Sequence, residues 1–270
     1  DSTNNKIISA FADLSDNNHG YAIVGTVSGT SISFGSISKF EAENTRHTDI
    51  AHDPDAGKTV IAYMDQGNSS YGTAVVSTVS GTSISFGTPV VYESSSTNDN
   101  SVVYDTNSNK MVIAYSDGGN SSYGTAVVGT VSGTSISFGT PVVFHAAGYI
   151  LQPICTFDAG SNKVVIVYMD NANDGRYVVG AVSGTSISFD ASSLVESNAT
   201  FSNESFWVSN IGLNKNSIVY RDDASSNVGR AVVLSLEQRG EVASGGAATV
   251  DETYRERLTH AKGYWWRTRG

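Results

Sequence analysis

One eight-residue sequence recurs four times in this chain, and its regular spacing constrains the fold more than any other feature. Copies of Val-Ser-Gly-Thr-Ser-Ile-Ser-Phe begin at Val27, Val79, Val131 and Val182, which places successive copies 52, 52 and 51 residues apart. A second element, ending in aromatic-x-Asp, occurs five times, at Ile8–Asp13, Val60–Asp65, Val112–Asp117, Val165–Asp170 and Ser217–Asp222. A fixed period of this length indicates one supersecondary unit repeated along the chain.

Each repeat predicts four short strands, which we call A to D in chain order. In the middle copy they are Ser101–Asp105, Lys110–Asp117, Gly124–Val131 and Ser135–Phe144. Turn residues separate A from B, and Gly133 suits a tight C–D hairpin because glycine accepts a positive φ. Four antiparallel strands per repeat favour a β-propeller, whose blades are four-stranded sheets around a channel. A solenoid of stacked hairpins is the competing architecture.

The sequence therefore predicts an all-β fold: a five-bladed β-propeller of four-stranded antiparallel blades over residues 1–250, with a C-terminal extension at 251–270 that is a closing segment or the start of a truncated domain. Asp1 aligns with the aspartates that close strand A, so the first copy lacks that strand. We predict that Gly246–Asp251 supplies it, so that strands from both termini close the ring and remove exposed edges. The chain starts without methionine or a signal peptide, and we expect it to be a processed part of a longer protein.

Composition and charge narrow the partners. The formal net charge of −10 disfavours nucleic acid, because an acidic surface repels phosphate. No apolar run approaches the roughly 18–20 residues that span a bilayer, so we expect no membrane insertion. The single cysteine, Cys155, excludes an internal disulfide. The five histidines fall at unrelated points of the repeat, so we expect no metal site and no cofactor.

The amino-acid sequences of the repeats resemble those of a known group of proteins. Tyr-Gly-Thr-Ala-Val-Val at 71–76 and 123–128, and the long run from Thr78 to Val91 repeated at 130–143, are similar to repeats in tail-fibre or tail-associated proteins of marine bacteriophages. The resemblance covers about residues 1–240 and implies a virion-associated or extracellular role in host recognition. The segment Ser116–Tyr123 also resembles the Asp-box turn of sialidase propellers, which is structural and implies no sialidase chemistry.

The recurring aspartates at 13, 65, 117, 170 and 222 are the first candidates for catalysis. A residue present in every repeat is more simply explained as a turn residue, because its carboxylate accepts backbone N–H groups in the following turn. A glycoside hydrolase would need two carboxylates in unequal environments. The acids unique to one repeat are Glu43, Asp99, Asp174, Glu196 and Glu204. No pair among them stands out, and we expect that the chain is not an enzyme.

Differences between the repeats are concentrated in the D–A connections. In an up-and-down blade these connections emerge on the same side as the B–C turns, and we call that side the rim face. Binding surfaces are commonly formed by variable connections on a uniform scaffold. The alternative is that the sequences of these connections vary because nothing constrains them. Aromatic rings with neighbouring amides and carboxylates suit carbohydrate. The ligand-binding candidates are Arg46, His47, Tyr71, Asn98, Asp99, Asn100, Tyr123, Tyr149, Gln152, Tyr177, Asn203 and Trp207.

These observations favour a non-catalytic receptor-binding module that recognises a cell-surface glycan or other host receptor. Two alternatives stay open: a glycoside hydrolase with paired carboxylates on the rim face, and a structural spacer that forms homo-oligomers within a longer fibre. Trp207 lies in the apolar run Phe206–Val208, so packing inside the fold is the competing explanation for it.

Overall fold

Stretches rich in Val, Ile and Tyr form the strands of the structure, because β-branched and aromatic side chains fit a pleated sheet. The computed structural model describes residues 1–195, 201–212, 214–222, 228–236 and 249–250. The strands are β1 (Ile7–Asp13), β2 (His19–Ser28), β3 (Ser31–Phe34), β4 (Ser38–Asp53), β5 (Lys58–Asp65), β6 (Tyr71–Ser80), β7 (Ser83–Phe86), β8 (Val90–Asp105), β9 (Lys110–Asp117), β10 (Tyr123–Ser132), β11 (Ser135–Phe138), β12 (Val142–His145), β13 (Ile150–Asp158), β14 (Lys163–Asp170), β15 (Gly175–Ser183), β16 (Ser186–Phe189), β17 (Ser193–Leu194), β18 (Phe201–Gly212), β19 (Lys215–Asp222), β20 (Val228–Ser235) and β21 (Thr249–Val250).

The described residues form one antiparallel sheet per repeat, and we number these sheets 1 to 5 in chain order. Sheet 1 contains β1 to β3 and the first part of β4. Sheet 2 contains the second part of β4, β5 to β7 and the first part of β8. Sheet 3 contains the rest of β8 and β9 to β12. Sheet 4 contains β13 to β17, and sheet 5 contains β18 to β21.

The strand predictions for the middle repeat are confirmed, with two differences, and the first is that strand A is the end of the longer strand β8. Strand B matches β9, and strand C matches β10 to within one residue at each end. Strand D is divided into β11 and β12. Gly133 has a φ of +61° in the C–D hairpin, as expected for that turn.

Two of the D–A connections differ from our prediction of loops. β4 and β8 are continuous 16-residue strands that leave one sheet as its outer strand and enter the next as its inner strand. This arrangement is possible because the backbone of the connection stays hydrogen-bonded on one side or the other along most of its length. The variable segments of repeats 1 and 2 are therefore held in strands.

The sheets pack face to face through hydrophobic clusters formed between consecutive sheets. Sheet 2 packs on sheet 1 through Ile61, Val75 and Val24, and the other three described interfaces repeat this arrangement. Most residues of β5, β9 and β14 are buried on both faces, which explains the unbroken apolar runs in strand B. Apolar contact between sheets is thus the main source of stability.

An aromatic pair recurs at three of these interfaces. The ring centroids of Phe40 and Tyr63 lie 5.2 Å apart, and those of Tyr92–Tyr115 and Phe144–Tyr168 lie 5.3 Å apart. Each second-member tyrosine also makes a hydrogen bond through its hydroxyl, to Glu41 at 3.0 Å, Glu93 at 3.1 Å and His145 at 3.1 Å respectively. The hydroxyls of Tyr63, Tyr115 and Tyr168 are therefore satisfied, as buried polar groups require.

Hydrogen bonds also join the inner strands of neighbouring sheets. The Asp49 carboxylate accepts from the Ser101 hydroxyl at 3.1 Å and from the Val102 N–H at 2.8 Å. The Ser101 hydroxyl accepts from the Cys155 N–H at 3.1 Å. Burial raises the pKa of Asp49, and it also raises the pKa of the Cys155 thiol to about 12, so this cysteine is an unreactive packing residue.

The C-terminal segment does not make the pairing that we predicted for it. Thr249 and Val250 pair with Ser235 and Leu234 of β20, whereas in the described residues β1 pairs only with β2. The rest of Gly246–Asp251 and the extension at 251–270 lie outside the described residues. Pairing with β20 uses the nearest open edge, because β20 is the strand that immediately precedes the segment in the chain. Across the part of the chain that the structure describes, no helix is long and apolar enough to cross a membrane.

Candidate functional site

The B–C turns and the D–A connections lie on the same side, as the up-and-down arrangement predicted. The Thr45 N–H donates to the Asn18 carbonyl at 2.9 Å, the Thr97 N–H to the Ser70 carbonyl at 3.2 Å, and the Ile150 N–H to the Ser122 carbonyl at 3.0 Å. Each of these bonds joins a D–A segment to the B–C turn of the same repeat. The rim face therefore exists in sheets 1 to 3.

The recurring aspartates cap the B–C turns. The Asp65 carboxylate accepts from the Asn68 N–H at 3.1 Å, and Asp117 accepts from the Gly119 N–H at 3.0 Å at the start of short 3-10 turns. Asp13 and Asp170 accept from backbone N–H groups in the same way. The interpretation of these residues as turn residues is confirmed for these four copies.

Each inner strand has a bulge where it passes the rim face. The register shifts between Arg46 and Asp49 in β4, between Asn98 and Ser101 in β8, and between Leu151 and Ile154 in β13. One residue in each bulge has a left-handed backbone: His47 with φ +49°, Asp99 with φ +53° and Gln152 with φ +49°. Non-glycine residues rarely adopt this conformation, and bulges are a recurrent way to aim a side chain at a site.

The three bulge residues are linked across three neighbouring sheets. The His47 Nδ1 lies 3.1 Å from Asp99 Oδ1, and the Gln152 N–H donates to Asp99 Oδ2 at 3.1 Å. Burial alone would raise the pKa of Asp99, but the His47 and Gln152 hydrogen bonds outweigh it and hold that pKa below its usual value. Asp99 therefore carries its negative charge at neutral and mildly acidic pH.

A cleft of about 250 Å³ opens beside Asp99. Its lining combines a carboxylate, an imidazole, an amide, two serines and an aromatic ring, supplied by Asp99, His47, Asn98, Ser116, Ser122 and Tyr149, with Ile150 and Leu151 beside them. Tyr149 is 46% exposed, so its ring is available to a ligand. The Asp99 and His47 side chains are 21% and 33% exposed. The cleft has the mixture of ring face and planar polar groups that the sequence comparison selected.

Of the twelve predicted binding residues, His47, Asn98, Asp99 and Tyr149 line this cleft. Gln152 contributes its backbone N–H to Asp99. Arg46 is exposed next to His47, and Tyr71 and Tyr123 are partly exposed at the starts of β6 and β10. Asn203 lies in β18, where the register shifts between Phe201 and Phe206, but its side chain is outside what the structure describes.

Three predicted positions differ from the expectation. Tyr177 is 3% exposed and packs in the hydrophobic cluster between sheets 4 and 5. It pairs with Val167 in sheet 4 at the position where the buried Ala126 pairs with Ala114 in sheet 3. It faces the core and is not available to a ligand. Asn100 is 7% exposed and does not line the cleft. Trp207 is 60% exposed beside Val219, so it is not packed, but it lies on sheet 5 away from the cleft lining.

The candidate hydrolase acids are dispersed. Asp99 is the only carboxylate in the described lining of the cleft. Glu43 is exposed and lies over Gly67, and Asp174 is in the B–C turn of sheet 4 near Arg176. Glu196 and the side chain of Glu204 lie outside the described residues. Among the residues that are described, no group of three or more His, Cys, Asp or Glu is placed to hold a metal ion.

Sequence reasoning missed the polar residues that support the site. Ser116, at a strand B position where the preceding repeat has Met64, and Ser122, in the B–C turn, line the cleft although both lie outside the D–A connections. Asp49 and Ser101, which connect the inner strands, occupy equivalent positions in consecutive repeats. The sequence did contain a sign that Asp49 has a role of its own, because the two following repeats have Ser101 and Ile154 at the position of this carboxylate.

Comparison with known proteins informs the fold. No family model and no curated protein matches the chain. Among solved structures, a candidate exo-β-1,3-galactanase from Bifidobacterium bifidum s17 is similar at 11% identity with a TM-score of 0.50, over 93% of this chain and 91% of that one. A family-43 endo-arabinanase from Bacillus licheniformis (12% identity, TM-score 0.42, 87% and 96% covered) and a periplasmic gluconolactonase from Pseudomonas aeruginosa (11%, 0.47, 92% and 82%) are also similar.

At these identities the likeness shows the fold alone: the chain is an all-β protein of the β-propeller type. Our expectation that the chain is not an enzyme is overturned, because the candidate galactanase is an enzyme with this fold. That expectation was based on the repeat architecture, which the galactanase shares, and on the absence of an obvious pair of acids in the sequence.

Proposed function

We propose that the chain is a five-bladed propeller and that it recognises a carbohydrate through the cleft beside Asp99, which we call the rim cleft. The observation that supports this most directly is the cleft itself, in which an exposed tyrosine ring, Tyr149, stands beside the ionised Asp99 and the Asn98 amide. Sugar C–H faces stack on aromatic rings, and sugar hydroxyls bond to carboxylates and amides. A volume of about 250 Å³ suits one sugar unit of a longer glycan.

We also propose that this ligand is a cell-surface glycan and that the chain acts in a phage tail fibre or another extracellular assembly. The support for this role is the wording of the repeats, which resembles that of phage tail proteins. The rim face adds to it, because its connections differ from repeat to repeat while the strands beneath them are nearly identical.

A glycan array with the whole chain tests carbohydrate recognition. We expect Tyr149→Ala to abolish or weaken binding by at least about tenfold, because the ring supplies the stacking surface. The matched control is Leu14→Ala: Leu14 is 86% exposed in the B–C turn of sheet 1 and should leave binding unchanged. Equal binding by both variants and by the parent chain would exclude this cleft.

Glycoside hydrolysis is the second candidate, and the Asp99–His47 pair is the observation that favours it. An ionised carboxylate beside a cleft can act as a base toward water. The similar solved structures include a candidate galactanase and an arabinanase, which makes oligosaccharides of galactose and arabinose the first substrates to assay. Turnover that is lost in Asp99→Asn, with binding retained, would establish hydrolysis; binding without turnover would leave recognition alone.

A further inference from the structure

The rim cleft lies between sheets 3 and 4. On the sheet 3 side its described lining comes from β8, the end of β9 and the turn that follows β9. On the sheet 4 side it comes from residues 149–151, at the start of β13. The Ile150 N–H donates to the Ser122 carbonyl at 3.0 Å, which joins the two walls. Further from the rim along β9, Ala114 belongs to the hydrophobic cluster through which these sheets pack. The cleft therefore opens at the rim end of a packed interface.

Ser116 occupies a position that is methionine in the two neighbouring repeats. The ladder registers place Met64 of β5, Ser116 of β9 and Met169 of β14 at equivalent points, next to the bulge of the inner strand. Met64 is 4% exposed and Met169 is 2% exposed. Met169 packs in the hydrophobic cluster between sheets 4 and 5, which also includes Phe206. In sheet 4 a methionine thus fills the space toward the following sheet, and the equivalent space beside Ser116 is the rim cleft.

The short side chain of Ser116 leaves this space open. Serine ends at Oγ, whereas methionine continues through Sδ to Cε. Ser116 is 2% exposed and still lines the cleft, so it lies at the base of the cleft. Its hydroxyl donates to the Ser122 carbonyl at 3.3 Å, and its oxygen keeps lone pairs that can accept. Ser116 therefore opens the cleft and supplies a hydrogen-bond acceptor at its base.

The charge of the lining favours an uncharged ligand. Asp99 is the one carboxylate in the described lining, and that lining contains no lysine or arginine. The Asp99 oxygens interact with the His47 ring and the Gln152 N–H and keep further capacity to accept. Ligand hydroxyl groups can donate to these oxygens, whereas a ligand carboxylate would be repelled by them at short range.

We propose that Ser116 determines which ligands enter the rim cleft: its small side chain admits one uncharged, hydroxyl-bearing sugar unit between sheets 3 and 4, beside Asp99. Sugars whose unit carries a carboxylate, such as uronic and sialic acids, are excluded. This inference rests on the proposed carbohydrate recognition, because it names the class of sugar that the same cleft takes.

The test compares Ser116→Met with the matched control Ser116→Ala in the whole chain. Both variants lose the hydroxyl, but only methionine fills the cleft, and the buried Met64 and Met169 show that this position accommodates it. The probes are immobilised oligosaccharides that end in neutral sugars, each paired with its uronic acid counterpart. We expect Ser116→Met to weaken binding of the neutral sugar at least about a hundredfold, because the unit can no longer enter. Ser116→Ala should weaken it by about tenfold at most, because one hydrogen bond is lost.

The parent chain should bind the neutral member of a pair at least about tenfold more tightly, and Asp99→Asn should remove this preference. If Ser116→Met does not fold, Ser116→Thr takes its place, because threonine adds one methyl group, keeps the hydroxyl and suits a strand. It should bind the neutral sugar more weakly than Ser116→Ala does.

Equal binding by Ser116→Ala and the larger variant would overturn the inference, and so would a parent chain that prefers the uronic acid. Both results would leave carbohydrate recognition standing. A parent chain that binds no glycan would instead refute the proposed function itself, so the two failures are distinguishable.

Discussion

Three positions accept only glycine, because the C–D turn of the following repeat lies against them. Gly35, Gly87 and Gly139 each follow the repeated Ser-Ile-Ser-Phe, and each lies against the carbonyl oxygen of a threonine in the next C–D turn: Thr82, Thr134 and Thr185 in that order. A Cβ built at any of the three would come much closer than 3.0 Å to that oxygen. The fourth repeat has Asp190 at this position, and the fifth repeat lacks the Gly-Thr-Ser turn.

Gly87→Ala tests this explanation. The new methyl group meets backbone, which cannot rotate away as a side chain could, so the end of β7 and the turn at Thr134 must separate. Overpacking of this kind costs roughly 1–3 kcal/mol. For a chain of this size 1 kcal/mol corresponds to about 2–4 °C. We therefore expect Tm to fall by about 2–12 °C, and the midpoint of urea unfolding to fall with it.

Gly229→Ala is the control. Gly229 is exposed in β20, and a Cβ there meets no atom within 4 Å, so we expect its free energy of unfolding to stay within about 0.5 kcal/mol of the parent. If Gly87→Ala unfolds at the same temperature as Gly229→Ala, sheets 2 and 3 do not approach each other as described, and the explanation for the repeated glycine is wrong.

The remaining predictions concern polar side chains, and urea unfolding checks all of them. Asp49→Ala should lower the free energy of unfolding by about 1–3 kcal/mol, because the Val102 N–H loses its acceptor. Asp49→Asn keeps an acceptor and removes a buried charge, so it should be neutral or stabilising at pH 7. Equal loss of stability in both variants would refute this. Tyr115→Phe should cost about 1 kcal/mol through loss of the bond to Glu93; no loss would contradict it. Because the pKa of Asp99 is lowered in the folded state, its ionisation stabilises the fold above the unfolded-state pKa near 4, and this contribution disappears as pH falls through the folded pKa. The parent chain should therefore be more stable than Asp99→Asn at pH 7 and should lose that advantage below about pH 4. A difference in stability that does not change with pH would count against this.

The repeated sequence was sufficient to predict the sheets, because each strand has its own local sequence signals. Apolar runs mark β5, β9 and β14, Gly133 marks a hairpin, and the recurring aspartates mark the B–C turns. All of these act within a few residues of the chain. For the same reason, comparison of the repeats could select the segment that contains His47 and Asp99.

What could not be predicted depends on contacts between repeats. Tyr177 looked like a rim tyrosine, but the register of β15 places it against sheet 5. The pairing of Asp49 with Val102 joins residues 53 positions apart, and no local pattern indicates it. The continuous course of β4 follows from ladders made with two different strands, which the composition of its polar middle does not suggest.

The most direct test of the rim cleft as a carbohydrate site is a crystal structure of the whole chain with an oligosaccharide that it binds. We predict electron density for a sugar ring stacked on Tyr149, with hydroxyl groups within hydrogen-bond distance of Asp99 and Asn98. A sugar bound on another face, with this cleft occupied only by solvent, would contradict the account.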